Sequence, residues 1–233
     1  FGADWAVAGG AERGSVFAGE NGGSSVRGAP VTVKNPEKAL VRGEPVVYRL
    51  AFSPPGFVPP GFDDELEEML KLIKKARRTI RAQVMNYSLY PYGKKTRWKK
   101  LDRAFRAAGR RGVKVELIFA DWSMGGKDDG DIKALAGAEN ISVKISSLPR
   151  HSKGFIPFAR VEHAKYLVFD GEKALLGTSN WSADYFQNTR GAALIVEGAA
   201  GASALEDIFR RAWNGPYVSP VDPEKEYKPV RRS

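Results

Sequence analysis

Apolar and polar positions alternate regularly only from residue 46 onward, and the elements they predict follow one another in a strand and helix rhythm. Val46 to Phe52 alternates as a strand with one buried face does, and Pro54-Pro55 with Pro59-Pro60 then stiffens a bend. Leu66, Met69, Leu70 and Ile73 fall at i, i+3, i+4 and i+7, which predicts a helix; Asp63 and Asp64 before it and Lys74, Lys75, Arg77 and Arg78 after it complement the helix dipole. Thr79 to Asn86 reads as a strand. Trp98, Leu101, Phe105 and Ala108 mark a second helix closed by Gly109 or Gly112, and Val113 to Phe119 a buried strand. A short helix near Asp131 to Leu135 and a strand from Ile141 to Ile145 come next. Tyr166 to Phe169 and Ala174 to Leu176 then pair as a hairpin turned by Asp170-Gly171-Glu172-Lys173. A strand from Ala192 to Val196 and a helix through Leu205, Ile208, Phe209 and Trp213 close the pattern. The alternation predicts an α/β layered fold.

The front of the chain lacks that rhythm. Residues 1–44 hold Gly9-Gly10 and Gly22-Gly23-Ser24-Ser25, so they read as a Gly-rich linker or insertion, partly disordered; residues 45–218 read as the folded domain and 219–233 as a basic tail. A chain of 233 residues, 42% hydrophobic, can bury one sizeable core without covalent staples. No apolar run is long enough to span a membrane.

Charge narrows the partners. The net charge is +10, and between Lys71 and Lys114 sixteen lysines and arginines face the single acid Asp102. Lys94-Lys95-Thr96-Arg97-Trp98-Lys99-Lys100 sets cations beside an aromatic ring, the combination that tracks a single-stranded backbone and stacks its bases. An anionic membrane surface would attract the same patch, so phospholipid stands beside single-stranded nucleic acid as a partner.

The chemistry-bearing signal is His163-Ala164-Lys165-Tyr166-Leu167-Val168-Phe169-Asp170 followed, six residues later, by Gly177-Thr178-Ser179-Asn180: H-x-K-x4-D-x6-G-T-x-N. Two positions apart on a strand, His163 and Lys165 project to one face and can reach one phosphate. Imidazole can attack phosphorus or protonate a leaving oxygen, while an ammonium and a side-chain amide hold the non-bridging oxygens as charge builds on them. His163, Lys165 and Asn180 are therefore the catalytic candidates. Asp170 joins them through the motif, as either a turn residue or one that orients the histidine, the turn role being favoured. Thr178 and Ser179 immediately precede Asn180 and are substrate-binding candidates. Asn86 and Tyr87, at the end of a predicted strand, either face a cleft or cap the strand. Tyr185 and Phe186 either stack a terminal base or pack beneath the loop. His151 sits in a polar, turn-rich stretch and reads as a loop histidine. No cofactor is expected: the scheme needs no metal, and without cysteine or a second histidine at ligand spacing zinc has no ligand set.

The motif resembles the signature of the phospholipase D superfamily. Ile156-Pro157-Phe158-Ala159-Arg160-Val161 before His163, Trp181-Ser182-Ala183-Asp184-Tyr185-Phe186 after Asn180 and Gln83-Val84-Met85-Asn86-Tyr87 upstream are similar to the C-terminal half of its endolysosomal 5′ exonuclease branch, with coverage from about Val46 to Tyr217. The resemblance implies a phospholipase D-like layered fold, a central mixed β-sheet flanked by helices, and cleavage of single-stranded DNA or RNA through a phosphohistidine intermediate, with His163 as nucleophile or general acid. It also implies a second motif, supplied by a homodimer mate or by the N-terminal half of a longer chain. The start at Phe1 favours the longer chain, and the branch suggests an endolysosomal or secretory lumen. One departure is visible. Many members place an acid near position 191 to orient the histidine, whereas this chain has Gly191, which leaves Asp184 or the missing half for that task. The alternatives are a phospholipid headgroup hydrolase or transferase, phospholipase D or cardiolipin synthase-like, and a non-catalytic module that binds nucleic acid or other anions.

Overall fold

A computed structural model describes residues 30–58 and 61–232 of the chain. In chain order the elements are β1 (Glu37–Val41), β2 (Glu44–Ser53), β3 (Asp63–Asp64), α1 (Glu65–Lys75), β4 (Thr79–Val84), α2 (Lys100–Arg110) and β5 (Lys114–Ala120). A 3-10 turn (Asp121–Ser123), α3 (Asp129–Ala136), β6 (Ile141–Ser146), β7 (Lys165–Phe169), β8 (Lys173–Gly177), α4 (Ala183–Gln187), β9 (Gly191–Glu197), α5 (Ala199–Trp213) and β10 (Val218–Pro220) follow. Most of the linker expected over residues 1–44 lies outside the described residues. Its last part is strand: β1 pairs with β2, so the sheet starts ahead of the boundary placed at 45. At the other end β10 pairs with β6 and Val221 is buried, so the first residues of the expected basic tail also belong to the fold.

The ten strands form one mixed sheet in the order β1-β2-β9-β8-β7-β4-β5-β6-β10, with β3 pairing β2 to the side. β4, β5 and β6 run parallel, whereas β7, β8, β9 and β2 alternate antiparallel from β4 outward. Strand alternation sorts the two faces. Ile80, Ala82, Val84, Leu167, Phe169 and Leu175 join the apolar faces of α1, α2 and α3 in the larger core, while Ile118, Tyr166, Val168 and Ala174 pack with Ala202 and Phe209 of α5. Phe105 of α2 has no exposed surface; truncating such a ring to alanine costs about 3–5 kcal/mol. On the α5 side Arg81 of β4 bonds Glu116 of β5 (2.9 Å) and Glu206 of α5 (3.1 Å), pairing a buried cation with two acids across three elements.

These directions gather one set of strand ends. The exits of β2, β4, β5 and β8 and the entries of β7 and β9 share one edge of the sheet; Thr79, Asp170 and Lys173 lie at the opposite edge. No helix among the described residues is long and apolar enough to cross a membrane.

Candidate active site

His163 stands exposed just before β7, and Lys165 opens the strand half-buried, its Nζ donating to the His163 carbonyl at 2.9 Å. Leu167 and Phe169 point into the larger core, so period-two alternation places Lys165, and by extension His163, toward the side of α1 and α2. Burial lowers the Lys165 pKa from its ordinary value, and nearby Glu162 pulls it partly back. Glu162 also accepts from the Ala164 amide (3.1 Å) and from Gln83 Nε2, while Gln83 Oε1 accepts from the Tyr166 hydroxyl (2.6 Å). The approach to β7 is thereby pinned to β4.

β8 ends at Gly177, and Thr178 turns the chain by exchanging hydrogen bonds with β9: its Oγ1 accepts from the Ala192 amide at 3.0 Å, and its own amide donates to the Ala192 carbonyl at 3.1 Å. Asn180 is 2% exposed, and its Oδ1 is buried without a hydrogen-bond partner among the described residues. A buried amide oxygen left unmatched is costly unless a group from elsewhere supplies the donor. The next residue, Trp181, is clasped to the loop after β4: its amide donates to the Asn86 carbonyl (2.8 Å), and the Ser88 amide donates to the Trp181 carbonyl (2.9 Å).

Several sequence expectations are relocated by this geometry. Asp170 lies at the far end of β7, about 16 Å from Lys165 at ~3.3 Å per strand residue. There its carboxylate accepts from the amides of Arg77 (3.0 Å), Arg78 (2.7 Å) and Thr79 (2.9 Å), while its own backbone adopts φ 57° at the turn. Burial pushes this carboxyl up, but the three amides outweigh burial and hold it below the usual carboxylate range. It is a turn residue and does not orient His163. Ser179 is buried and its hydroxyl donates to Glu65 Oε2 at 2.8 Å. Tyr87 and Phe186, 1% and 0% exposed, are core residues: Tyr87 stacks on Phe119 at 5.0 Å and Phe186 on Trp98 at 5.8 Å. Asp184, considered as a holder of His163, is occupied by the Tyr92 amide (2.7 Å) and by Asn188 Nδ2 (3.3 Å). His151 closes a tight turn, its Nδ1 accepting from the Lys153 amide at 3.1 Å.

Asn86 and Tyr185 do face open space. They line a groove of about 480 Å³ at the motif edge, together with Tyr90, Tyr92, Trp122, the cations Lys127 and Arg232 and the acids Asp128 and Asp184. Lys127 and Arg97 sit over the Tyr90 ring at 5.1 and 5.5 Å, and Arg97 Nε donates to the Tyr90 hydroxyl at 2.9 Å. The basic run divides between the two edges. Lys94, Lys95 and Lys99, in the segment between the groove tyrosines and α2, and Lys100, the first residue of α2, are exposed, whereas Lys74, Lys75, Arg77, Arg78, Arg111 and Lys173 ring a separate hollow of about 800 Å³ around Asp170. Glu65, Ser53 and Glu162 were not anticipated. Glu65 reads in sequence only as an acid in a helix's first turn, and Ser53 only as the residue after a strand.

The family described as "Cardiolipin synthase, PLD-like domain" matches residues 69–213. A probable phospholipase D of Caenorhabditis elegans is 33% identical over 206 residues, covering 81% of this chain and 37% of that protein. The 5′-3′ exonuclease PLD3 of Bos taurus is 35% identical over 206 residues, covering 81% and 41%. The chain thus spans about two fifths of the length of these curated relatives. Among solved structures, NucT from Helicobacter pylori aligns with a TM-score of 0.60 at 16% identity, covering 75% of this chain and 99% of that one, a likeness of fold.

Proposed function

The chain belongs to the phospholipase D-like family, and from that premise we propose that it supplies one half of the active site of a phosphodiesterase acting from the 5′ end of single-stranded DNA or RNA. The other half comes from the same longer polypeptide or from a second copy. The observation that carries the reading is that the segments holding His163, Lys165 and Asn180 come to one sheet edge, beside a groove lined by tyrosines, two cations and two acids.

In this reading one imidazole attacks phosphorus, and the bond to the leaving oxygen breaks as that oxygen takes a proton from the imidazolium of the complementary motif. Water then attacks the phosphohistidine, giving its proton to the second imidazole; the phosphate monoester leaves and both histidines are restored. His163 fits either place. The Lys165 ammonium and the Asn180 amide hold the non-bridging oxygens while charge builds on them. The Asn180 side-chain NH2 donates to the phosphate. A groove of aromatic rings and charged side chains, Lys127 and Arg232 with Asp128 and Asp184, suits bases better than acyl chains, which favours nucleic acid over lipid. An endolysosomal setting belongs to the same proposal and rests on the resemblance of the branch.

The test is degradation of a labelled 5′-hydroxyl single-stranded DNA in EDTA by the full-length protein and its His163→Asn variant, with phosphatidylcholine offered in parallel. The expected result is shortening from the 5′ end that drops about 10³-fold or more in the variant, with an unchanged melting temperature because His163 is exposed. Lipid turnover without DNA loss would replace the substrate, and undiminished cleavage by His163→Asn would remove the site.

A further inference from the structure

Glu65 opens α1 with no exposed surface, at the sheet edge that carries the motif. Its Oε2 lies 2.8 Å from Ser179 Oγ and 3.0 Å from Ser53 Oγ, and its Oε1 is buried with no hydrogen-bond partner among the described residues. Two glycines keep room for it. A Cβ on Gly177 would lie 3.0 Å from Oε1; one on Gly191 would lie 2.8 Å from Oε2 and 2.5 Å from both serine hydroxyls. Position 191 therefore holds no side chain because the carboxylate and its two hydroxyl partners fill that space.

Glu68, one turn later, shows how the same helix treats a buried acid that serves only the fold. Its carboxylate bonds Arg49 at 2.9 Å and Lys71 at 2.8 Å. Burial alone would raise the Glu68 pKa, yet these two cations hold it below its ordinary value. At Glu65 burial prevails over the two hydroxyls and the carboxyl is raised. No cation bonds to Glu65 among the described residues, and Asp64 beside it is a second acid. A carboxylate desolvated without a cation, with one oxygen unmatched, is an arrangement that packing alone disfavours. Local rules of this kind are broken chiefly at sites of function.

We propose that Glu65 is a positioning residue of the active site: through Ser179 it fixes the Thr178–Asn180 loop, so that the Asn180 amide is presented to the phosphate oxygens. The inference rests on the reading of His163, Lys165 and Asn180 as the reacting groups. Ser179 is the sole residue between the exposed, β9-bonded Thr178 and the buried Asn180, so its hydroxyl bond to Glu65 sets where the loop can go.

The experiment is a double-mutant cycle in the full-length protein, with kcat and KM on labelled single-stranded DNA read for Glu65→Leu, Ser179→Ala and the pair, and Glu65→Gln as the conservative variant. Glu65→Leu keeps the bulk and removes the acceptor; its kcat should fall about 10-fold or more with KM altered less than about 3-fold, since a loop displaced by an ångström costs mainly the transition state. Ser179→Ala should show the same loss, and the double variant should lose no more than either single one. Glu65→Gln, whose carbonyl still accepts from Ser179, should recover most of the turnover that leucine loses. Melting curves report the folded fraction. Wild-type kcat in folded Glu65→Leu, or losses that multiply in the double variant, would overturn the proposal. If Glu65→Leu does not fold, a wild-type kcat in Ser179→Ala overturns it equally well. His163→Asn separates the two levels. Activity retained there sinks the site itself, whereas a dead His163→Asn beside a fully active Ser179→Ala sinks the role of Glu65 alone.

Discussion

The two ends of the β7–β8 hairpin are built to opposite rules. At the turn, the Asp170 carboxylate is matched to three amides, and Arg78 adds its guanidinium to the Asp170 carbonyl (2.7 Å) and to Glu172 (2.8 Å). At the open end, Asn180 Oδ1 and Glu65 Oε1 are buried without donors, and Lys165 is half-buried with its pKa lowered by burial. Both ends belong to one spacing pattern. On the proposed reading the open end of that pattern does the chemistry, and the turn holds the hairpin on β4.

The largest expected split comes from a pair of variants. Lys165→Met should lower kcat about 10²-fold, the scale of losing one charged clamp on developing phosphate charge, while Asp170→Ala should leave the kcat of the folded fraction unchanged. Equal losses of turnover in the two would erase the division. A second contrast uses the basic run. Replacing Lys94, Lys95, Lys99 and Lys100 with alanine should flatten the salt dependence of single-stranded DNA binding by about 0.7 in slope for each phosphate no longer neutralised, and replacing Lys74, Lys75 and Arg77 at the far edge should leave it unchanged. An equal slope change from both sets would extend the nucleic-acid surface around the whole domain.

The smallest effect sharpens the far end. Asp170→Ala should cost about 1–2 kcal/mol in urea unfolding at neutral pH, the scale of losing a side-chain cap on backbone amides. The Asp170 pKa is lower in the folded state, so its contribution is present above the unfolded value near 3.9 and is lost as pH falls through the folded one. The stability gap between wild type and variant should therefore be flat at neutral pH and close below about pH 4. A gap that persists into acid would mean that the side chain's bulk, and not its charge, holds the turn.

The layered fold was legible because periodicity is local. The α1 stripe of Leu66, Met69 and Ile73 and the alternation in β2 follow from side-chain directions within one element, and the helix and strands predicted there appear within a few residues of their expected bounds. The placement of His163, Lys165 and Asn180 at one edge was legible because a single hairpin brings their segments there. Glu65 was not, because it reaches Ser179 across 114 residues and looks in sequence like one more acid at a helix start. Gly191 was equally opaque: a missing acid and a space filled from another element read alike in one dimension. Chain position alone leaves Tyr87 between a cleft contact and a strand cap and Phe186 between a base contact and packing beneath the loop; the ring stacks with Phe119 and Trp98 that bury them are tertiary facts.

The clasp of Trp181 to Asn86 and Ser88 also governs how the site breathes. Neither the loop after Asn180 nor the loop that borders the groove can lift away without severing the same two amide bonds, so both open in one event with one free energy. In hydrogen exchange the Ser88 and Trp181 amides should report a common opening rate, and a strand seated in the groove should slow exchange at Trp181 without touching it.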